Sequence, residues 1–167
     1  MYVRLATAAD ATAVETIRVD GWRTAYRHLL PPAGLDSMPV DASRWTVRFA
    51  TPPPGWTPFV AERDGTIVGF AVVGPSRDES GIGELYAIYV APASWSTGAG
   101  RALIERAEAQ LAREYEFATL WVLDGNERAC RFYERAGWAP DGATKSEDRW
   151  GVAAAELRYR KRLQKGE

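Results

Sequence analysis

Six residues, Ser96-Thr97-Gly98-Ala99-Gly100-Arg101, carry the most specific local chemistry in this sequence. They stand between a segment that reads as a strand and one that reads as a helix. The first turn of a helix exposes backbone N–H groups that have no internal partner, at the positive end of the aligned peptide dipoles. Two glycines let such a backbone approach a ligand closely, and Arg101 adds a full positive charge. Together these features suit a phosphate group. The same six residues also suit an ordinary tight strand-to-helix turn. Other phosphate motifs fit less well. A dinucleotide fingerprint requires a third glycine where Leu103 stands, and a P-loop requires a Gly-Lys-Ser/Thr run that is absent.

Other reactive side chains are scarce. There is one histidine, His28, and one cysteine, Cys130. No intramolecular disulfide can form, and a structural zinc site, which takes about four mostly Cys or His ligands, is nearly closed. Cys130 has no second histidine to act as a base and reads as a small filler on an amphipathic segment. His28, alone, reads as a surface or capping residue. Seven tryptophans are spread along the chain. Several flank polar loops, which suits a cleft lined by flat aromatic surfaces. Trp22 and Tyr26 stand four apart and share one helix face, as core residues or as the wall of a site.

The elements that must position these residues follow from periodicity and punctuation. Val3 to Leu5 reads as a short strand. Thr7 to Asp10 resembles a capping box, with Asp in place of Glu, and opens a helix to about Asp20. Gly21 is expected to interrupt that helix, with Trp22 to Leu30 as a second piece stopped by Pro31-Pro32. Asp41 to Phe49 reads as a short helix, and Thr51 to Gly55 as a surface loop. Phe59 to Glu62 and Ile67 to Val73 are strands joined by an Asp64-Gly65 turn. Gly83 to Val90 is a strand ended by Pro92. Ala99, Leu103, Ile104, Ala107 and Leu111 keep helical spacing. Phe117 to Leu123 is a strand, Asn126 caps a helix, and Gly137 ends it. Val152 to Tyr159 is the last strand, before a charged tail from Arg160 to Glu167. Strands interleaved with helices predict a mixed α/β sheet with helices on both faces.

Composition bounds the function. A chain of 167 residues fits one domain, taken as residues 1–167. Net charge is −1, from 21 basic and 22 acidic residues, which argues against a partner that is nucleic acid. The N-terminus enters alternating residues with no apolar signal region, and no apolar run approaches the ~20 residues that span a bilayer. The expectation is a soluble, reducing, cytoplasmic setting with no membrane partner.

The ordered combination of motifs is more specific than any of its parts. Glu84-Leu85-Tyr86-Ala87-Ile88-Tyr89-Val90-Ala91-Pro92 leads into Trp95 to Gly100. Then come Leu120-Trp121-Val122-Leu123, Asn126, Ala129, Phe132-Tyr133-Glu134-Arg135 and Gly137-Trp138. This resembles the GCN5-related N-acetyltransferase (GNAT) superfamily, whose pattern is Val-x-Pro, then Arg/Gln-x-x-Gly-x-Gly/Ala, then Asn-x-x-Ala-x-x-Phe-Tyr-x-x-x-Gly-Phe. Arg4 to Asp10 with Trp22, Tyr26 and Leu29-Leu30 resembles the amino-terminal arm of bacterial members. Arg158-Tyr159-Arg160 resembles their last strand. Trp95 stands where Arg or Gln is usual, and Thr97 where Arg or Lys is frequent. That leaves backbone N–H groups and Arg101 as the expected phosphate partners.

The resemblance implies the acyl-CoA N-acyltransferase fold: α/β, mostly antiparallel, six to seven strands. It implies acetyl-CoA as co-substrate, no metal, and transfer of an acetyl group to a primary amine of a small molecule or peptide. Monomer and homodimer are both open. Ile88, Tyr89 and Val90 would pair with the pantetheine arm as an added strand does, and a backbone N–H there would polarise the thioester oxygen. Ser96, Thr97, Gly98, Ala99, Gly100 and Arg101 would hold the pyrophosphate, and Asn126 the pantetheine arm. Tyr133 would face the sulfur. A phenol (pKa ~10) is too weak an acid to protonate a thiolate (pKa ~8.5) without a cost of roughly 2 kcal/mol, so Tyr133 is expected to donate a hydrogen bond. Glu84 is the candidate base, at a position where some members carry a catalytic glutamate. Its Gln variant is expected to shift the rate profile to higher pH. Trp22 and Tyr26 would form a wall of the acceptor site. A non-catalytic acyl-CoA sensor of the same fold, and an unrelated α/β protein with another phosphate ligand, are the competing readings.

Overall fold

The computed structural model describes residues 1–166. Seven strands, β1 (Tyr2–Leu5), β2 (Thr57–Arg63), β3 (Thr66–Pro75), β4 (Gly83–Val90), β5 (Phe117–Leu123), β6 (Ala139–Arg149) and β7 (Val152–Arg162), join in one sheet of order β1-β2-β3-β4-β5-β7-β6. Neighbours run antiparallel except β4 and β5, which are parallel. Helices α1 (Ala11–Ala25), α2 (Pro32–Ser37) and α3 (Ser43–Ala50) precede β2, while α4 (Ala99–Leu111) and α5 (Glu127–Arg135) flank β5.

Strand periodicity sends alternate side chains to opposite faces, and two cores result. Phe70 and Val72 of β3 pack with Val14, Ile17, Trp45 and Phe49 from α1 and α3. Ala71 and Val73 of the same strand pack with Leu103, Ile104 and Ala107 from α4. The β2–β3 turn has positive φ at both Asp64 (50°) and Gly65 (77°), as its Asp-Gly signal predicts.

Some expectations need correction, and one strand was not foreseen. Helix α1 runs unbroken through Gly21. A Cβ there would lie 3.1 Å from the Tyr89 ring, so the glycine admits a close approach to β4, and that packing outweighs its poor helix propensity. Nor does a helical piece reach Leu30: α1 ends at Ala25, residues 26–30 form turns, and Pro32 stops no helix but begins α2 at its first position. The segment 139–149 is a strand on the sheet edge, and its mostly exposed polar residues give it no apolar alternation to read. In addition, β7 extends into the expected charged tail, to Arg162. Among the described residues, no helix is long and apolar enough to cross a membrane.

The amino-terminal arm is tied down by one buried acid. Asp10 accepts from Arg4 Nη1 at 2.8 Å and Nη2 at 2.9 Å, and from the Thr7 backbone N–H at 2.8 Å. The Arg4 hydrogen bonds are the largest cause holding its carboxyl below the usual range. Such a group stabilises the fold fully above its unfolded pKa of about 3.9, and the contribution is lost as pH falls through the folded value. Asp10→Ala should therefore cost about 2 kcal/mol in urea unfolding at neutral pH. The gap to the unsubstituted chain should narrow in the acid range.

Candidate active site

The site begins where β4 and β5 part. They pair only at Gly83 with Ala118 and Glu84 with Thr119. Beyond that point β4 stays with β3 and β5 stays with β7. A bulge bends β4 away, because Val72 opposes Ala87 and Val73 opposes Leu85, leaving Tyr86 unpaired. The gap opens into a cleft of about 630 Å³ lined by β4, the end of β5, the start of α4, one side of α5 and Tyr26.

Backbone polarity inside the gap follows from register. Ala91 N–H bonds to Val68 O across β3. Antiparallel ladders alternate, so Tyr89 also turns its peptide groups toward β3, while Ile88 and Val90 present theirs to the gap. The Val90 carbonyl accepts from Trp95 Nε1 at 2.9 Å. The Ile88 peptide groups and the Val90 N–H are left as the free strand edge. Tyr89 contributes its side chain instead. Its ring stacks on Phe70 at 5.5 Å, and its hydroxyl accepts from Trp22 Nε1 at 2.9 Å.

At the turn, Gly98 has φ +91° and Ser96 φ +60°. Gly98 is needed for that left-handed conformation. Gly100 is needed for packing, since a Cβ there would meet Phe132 of α5 at 3.2 Å. Ser96, Gly98, Gly100 and Arg101 line the cleft, whereas Thr97 and Ala99 do not. Thr97 binds Ser94 O through its hydroxyl and receives Arg63 on its carbonyl. Ala99 is buried in the core. The Arg101 guanidinium is exposed and engaged with Glu105.

The sequence reading missed the nearer cations. Arg128, Arg131 and Arg135 of α5 all line the cleft. Arg128 lies 4.0 Å over the Trp95 ring. Trp95 thus seats a guanidinium beside the turn by a cation–π contact. The signal was present, since positions 128, 131 and 135 share one helix face.

Tyr133 and Asn126 reach the same cleft. Asn126 Oδ1 caps α5 by accepting from Ala129 N at 3.3 Å, which leaves its amide NH₂ for a ligand. The Tyr133 hydroxyl has no hydrogen-bond partner among the described residues. Burial, first, pushes its pKa well above that of an ordinary phenol. Tyr26 lines the cleft, while Trp22 stands behind it, ring centroids 5.1 Å apart. Glu84 is not brought to the cleft. It is fully buried at the last β4–β5 pair. Its Oε1 accepts from the Arg77 backbone N–H at 3.0 Å and its Oε2 from Arg77 Nε at 2.9 Å and from Nη2. Among the described residues, no group of three or more His, Cys, Asp or Glu is placed to hold a metal ion.

A parted parallel pair at the centre of an antiparallel sheet, with a helix N-terminus at its mouth, defines an acyl-CoA-binding enzyme fold. Comparison with known proteins agrees. The Acetyltransferase (GNAT) family profile matches residues 19–138. The N-acetyltransferase YuaI of Bacillus subtilis, itself uncharacterized, is 32% identical over 162 residues, covering 93% of this chain and 88% of its own. The crystal structure of a ribosomal-protein-alanine N-acetyltransferase from Brucella melitensis is 26% identical, with TM-score 0.77 over 98% of this chain and 100% of that one. The YncA structure from Salmonella typhimurium, solved with its cofactor acetyl-CoA, is 20% identical, with TM-score 0.77 over 100% and 96% of the two chains. The chain belongs to the GNAT acetyltransferase family. It is an acetyltransferase of the acyl-CoA N-acyltransferase fold.

Arg128→Ala should weaken acetyl-CoA binding about tenfold, the worth of one charge-assisted hydrogen bond, as measured by calorimetric titration. The same change at Arg101 should matter less.

Proposed function

We propose that residues 1–167 act as one domain that moves the acetyl group of acetyl-CoA to a primary amine of a small molecule or peptide by direct attack in a ternary complex. The observation that carries this reading is the unpaired Tyr133 hydroxyl in a cleft whose other wall is the free backbone edge of Ile88 and Val90. The pyrophosphate lies at the turn of Ser96, Gly98, Gly100 and Arg101, against the first N–H groups of α4, with Arg128 adjacent. The pantetheine arm enters the gap as a short added strand along Ile88 and Val90, and the Asn126 amide donates to it.

The reaction then needs three things from the chain. A backbone N–H of the β4 edge polarises the thioester oxygen as negative charge develops. Tyr133 donates a hydrogen bond to the sulfur as the C–S bond breaks. Its raised pKa keeps the proton on the phenol at neutral pH, which suits a donor and disfavours full transfer. The amine must also attack unprotonated. At pH 7 this costs about 4.6 kcal/mol for a lysine-like amine of pKa ~10.4, but only about 1.4 kcal/mol for an α-amine near pKa 8. Glu84 does not take that proton in this reading, since both its oxygens are held by Arg77.

The reading is tested by free-thiol release from acetyl-CoA with a panel of primary amines. Amine-dependent release supports it, and acetyl-CoA binding without turnover would favour the sensor alternative. Tyr133→Phe should lower kcat by about tenfold or more while acetyl-CoA affinity stays nearly unchanged. An unchanged kcat would remove the donor role.

A further inference from the structure

The buried acids Asp10, Glu15 and Glu84 are fully engaged. Asp10 is held by Arg4, Glu15 by Arg18 and Trp45, and Glu84 by Arg77. Glu156 of β7 is different. Its side chain is 24% exposed, yet its Oε2 is buried and accepts no hydrogen bond, holding only an ion pair to Lys145 Nζ at 3.7 Å. Buried acceptors in folded proteins nearly always have a hydrogen-bond partner, water included, so this oxygen has a bond to offer to solvent or to a ligand.

Its position says which partner. Glu156 is directly opposite Leu123 of β5 and Lys145 of β6, and opposed residues share a sheet face. Leu123 and, two residues before Glu156, Ala154 pack with Leu30, Leu35, Trp22 and Tyr26. This is the face covered by α1 and α2. Tyr133 belongs to the other face, with α4. Glu156 does not itself line the cleft, but it lies on the face opposite the turn and Tyr133, the same face as Tyr26, which does. Its charge acts on the phenols of Tyr26 and Tyr89. A nucleophile that meets a thioester threaded between β4 and β5 must come from this side.

Resting on the transferase reading above, we propose that Glu156 receives the ammonium group of the acceptor, which is a cationic primary amine approaching the cleft past Tyr26. The groups facing it are Lys145, Glu147 and Arg149 of β6, Tyr26 of α1, Tyr89 of β4 and Arg77 from the β3–β4 connection. Burial is the largest influence and raises the carboxyl pKa, with Lys145 opposing it. A carboxylate so raised is a better proton acceptor than an exposed one.

The proton count closes. Glu156 takes one proton from the ammonium, and the freed nitrogen lone pair forms the N–C bond to the thioester carbon. The carbonyl electrons move to oxygen, then return as the C–S pair leaves on sulfur. The second nitrogen proton goes to the thiolate, giving coenzyme A thiol. Glu156 releases its proton to solvent.

The test compares Glu156→Gln and Glu156→Asp with the unsubstituted chain, using butylamine, 2-phenylethylamine and the tripeptide Ala-Ala-Ala as acceptors. Glu156→Gln should lower kcat/KM for the amine about 100-fold. It should also remove the acid-range inflection of the pH profile, with acetyl-CoA affinity and thermal midpoint retained. Glu156→Asp, which keeps the carboxylate, should recover part of the rate and the inflection. Unchanged kcat/KM and inflection in the Gln variant would overturn the role of Glu156 while leaving the transferase reading intact. A loss that appears equally in acetyl-CoA affinity would also overturn it. An unsubstituted chain that binds acetyl-CoA but releases no thiol with any of the amines would overturn both.

Discussion

The separation of β4 from β5 after two residue pairs is the constraint on which the other features depend. A sheet that opens at its centre exposes backbone groups that would otherwise be paired, and buried polar groups without partners are costly. The chain limits that exposure. Trp95 Nε1 covers the Val90 carbonyl, and the Tyr86 bulge steers β4 toward β3. At the branch point itself, Glu84 is fully buried and draws Arg77 down from the preceding connection. Glu84 thereby fixes where the strands part. A buried carboxylate held by an arginine backbone N–H and side chain is a structural clamp, and removing the Arg77 side chain would leave the buried Glu84 without its compensating cation.

The opening also divides labour between the two faces of the sheet. On the α4–α5 face lie the turn, Asn126 and Tyr133, with Arg128 seated on Trp95. On the α1 face lie Tyr26, Tyr89, Trp121 and Glu156. The chain has a net charge of −1, so neither face depends on a global field. Each depends on a few groups placed by local packing. The guanidinium of Arg128 illustrates this. The turn carries Trp95, and that aromatic ring holds a cation supplied by α5.

Much of this was legible in the sequence, and what was not had physical reasons. Gly83 to Val90 and Phe117 to Leu123 match strand bounds because apolar runs between strong punctuators leave little choice. Asn126 is the cap it was expected to be. The edge strand β6 was not legible, since its residues are mostly exposed and polar and its pairing comes entirely from β7. Gly21 misled because helix propensity is local, while its reason, the Tyr89 ring, is 68 residues away in sequence. Glu84 and Glu156 show the same limit in the site. Both are glutamates on strands, and only the partners each acquires in three dimensions separate a satisfied clamp from an orphaned acceptor.

That distinction bears on how acid–base work is shared. Tyr133 and Glu156 are both pushed upward in pKa chiefly by burial, yet the consequence differs by charge type. For a phenol, burial strengthens retention of the proton, so Tyr133 stays neutral throughout the neutral range. For a carboxyl, the same burial moves titration toward the range in which proton uptake from an ammonium becomes less unfavourable. In the proposed reading the two groups lie on opposite faces of the gap, Tyr133 as a donor on the leaving-group side and Glu156 as an acceptor on the nucleophile side.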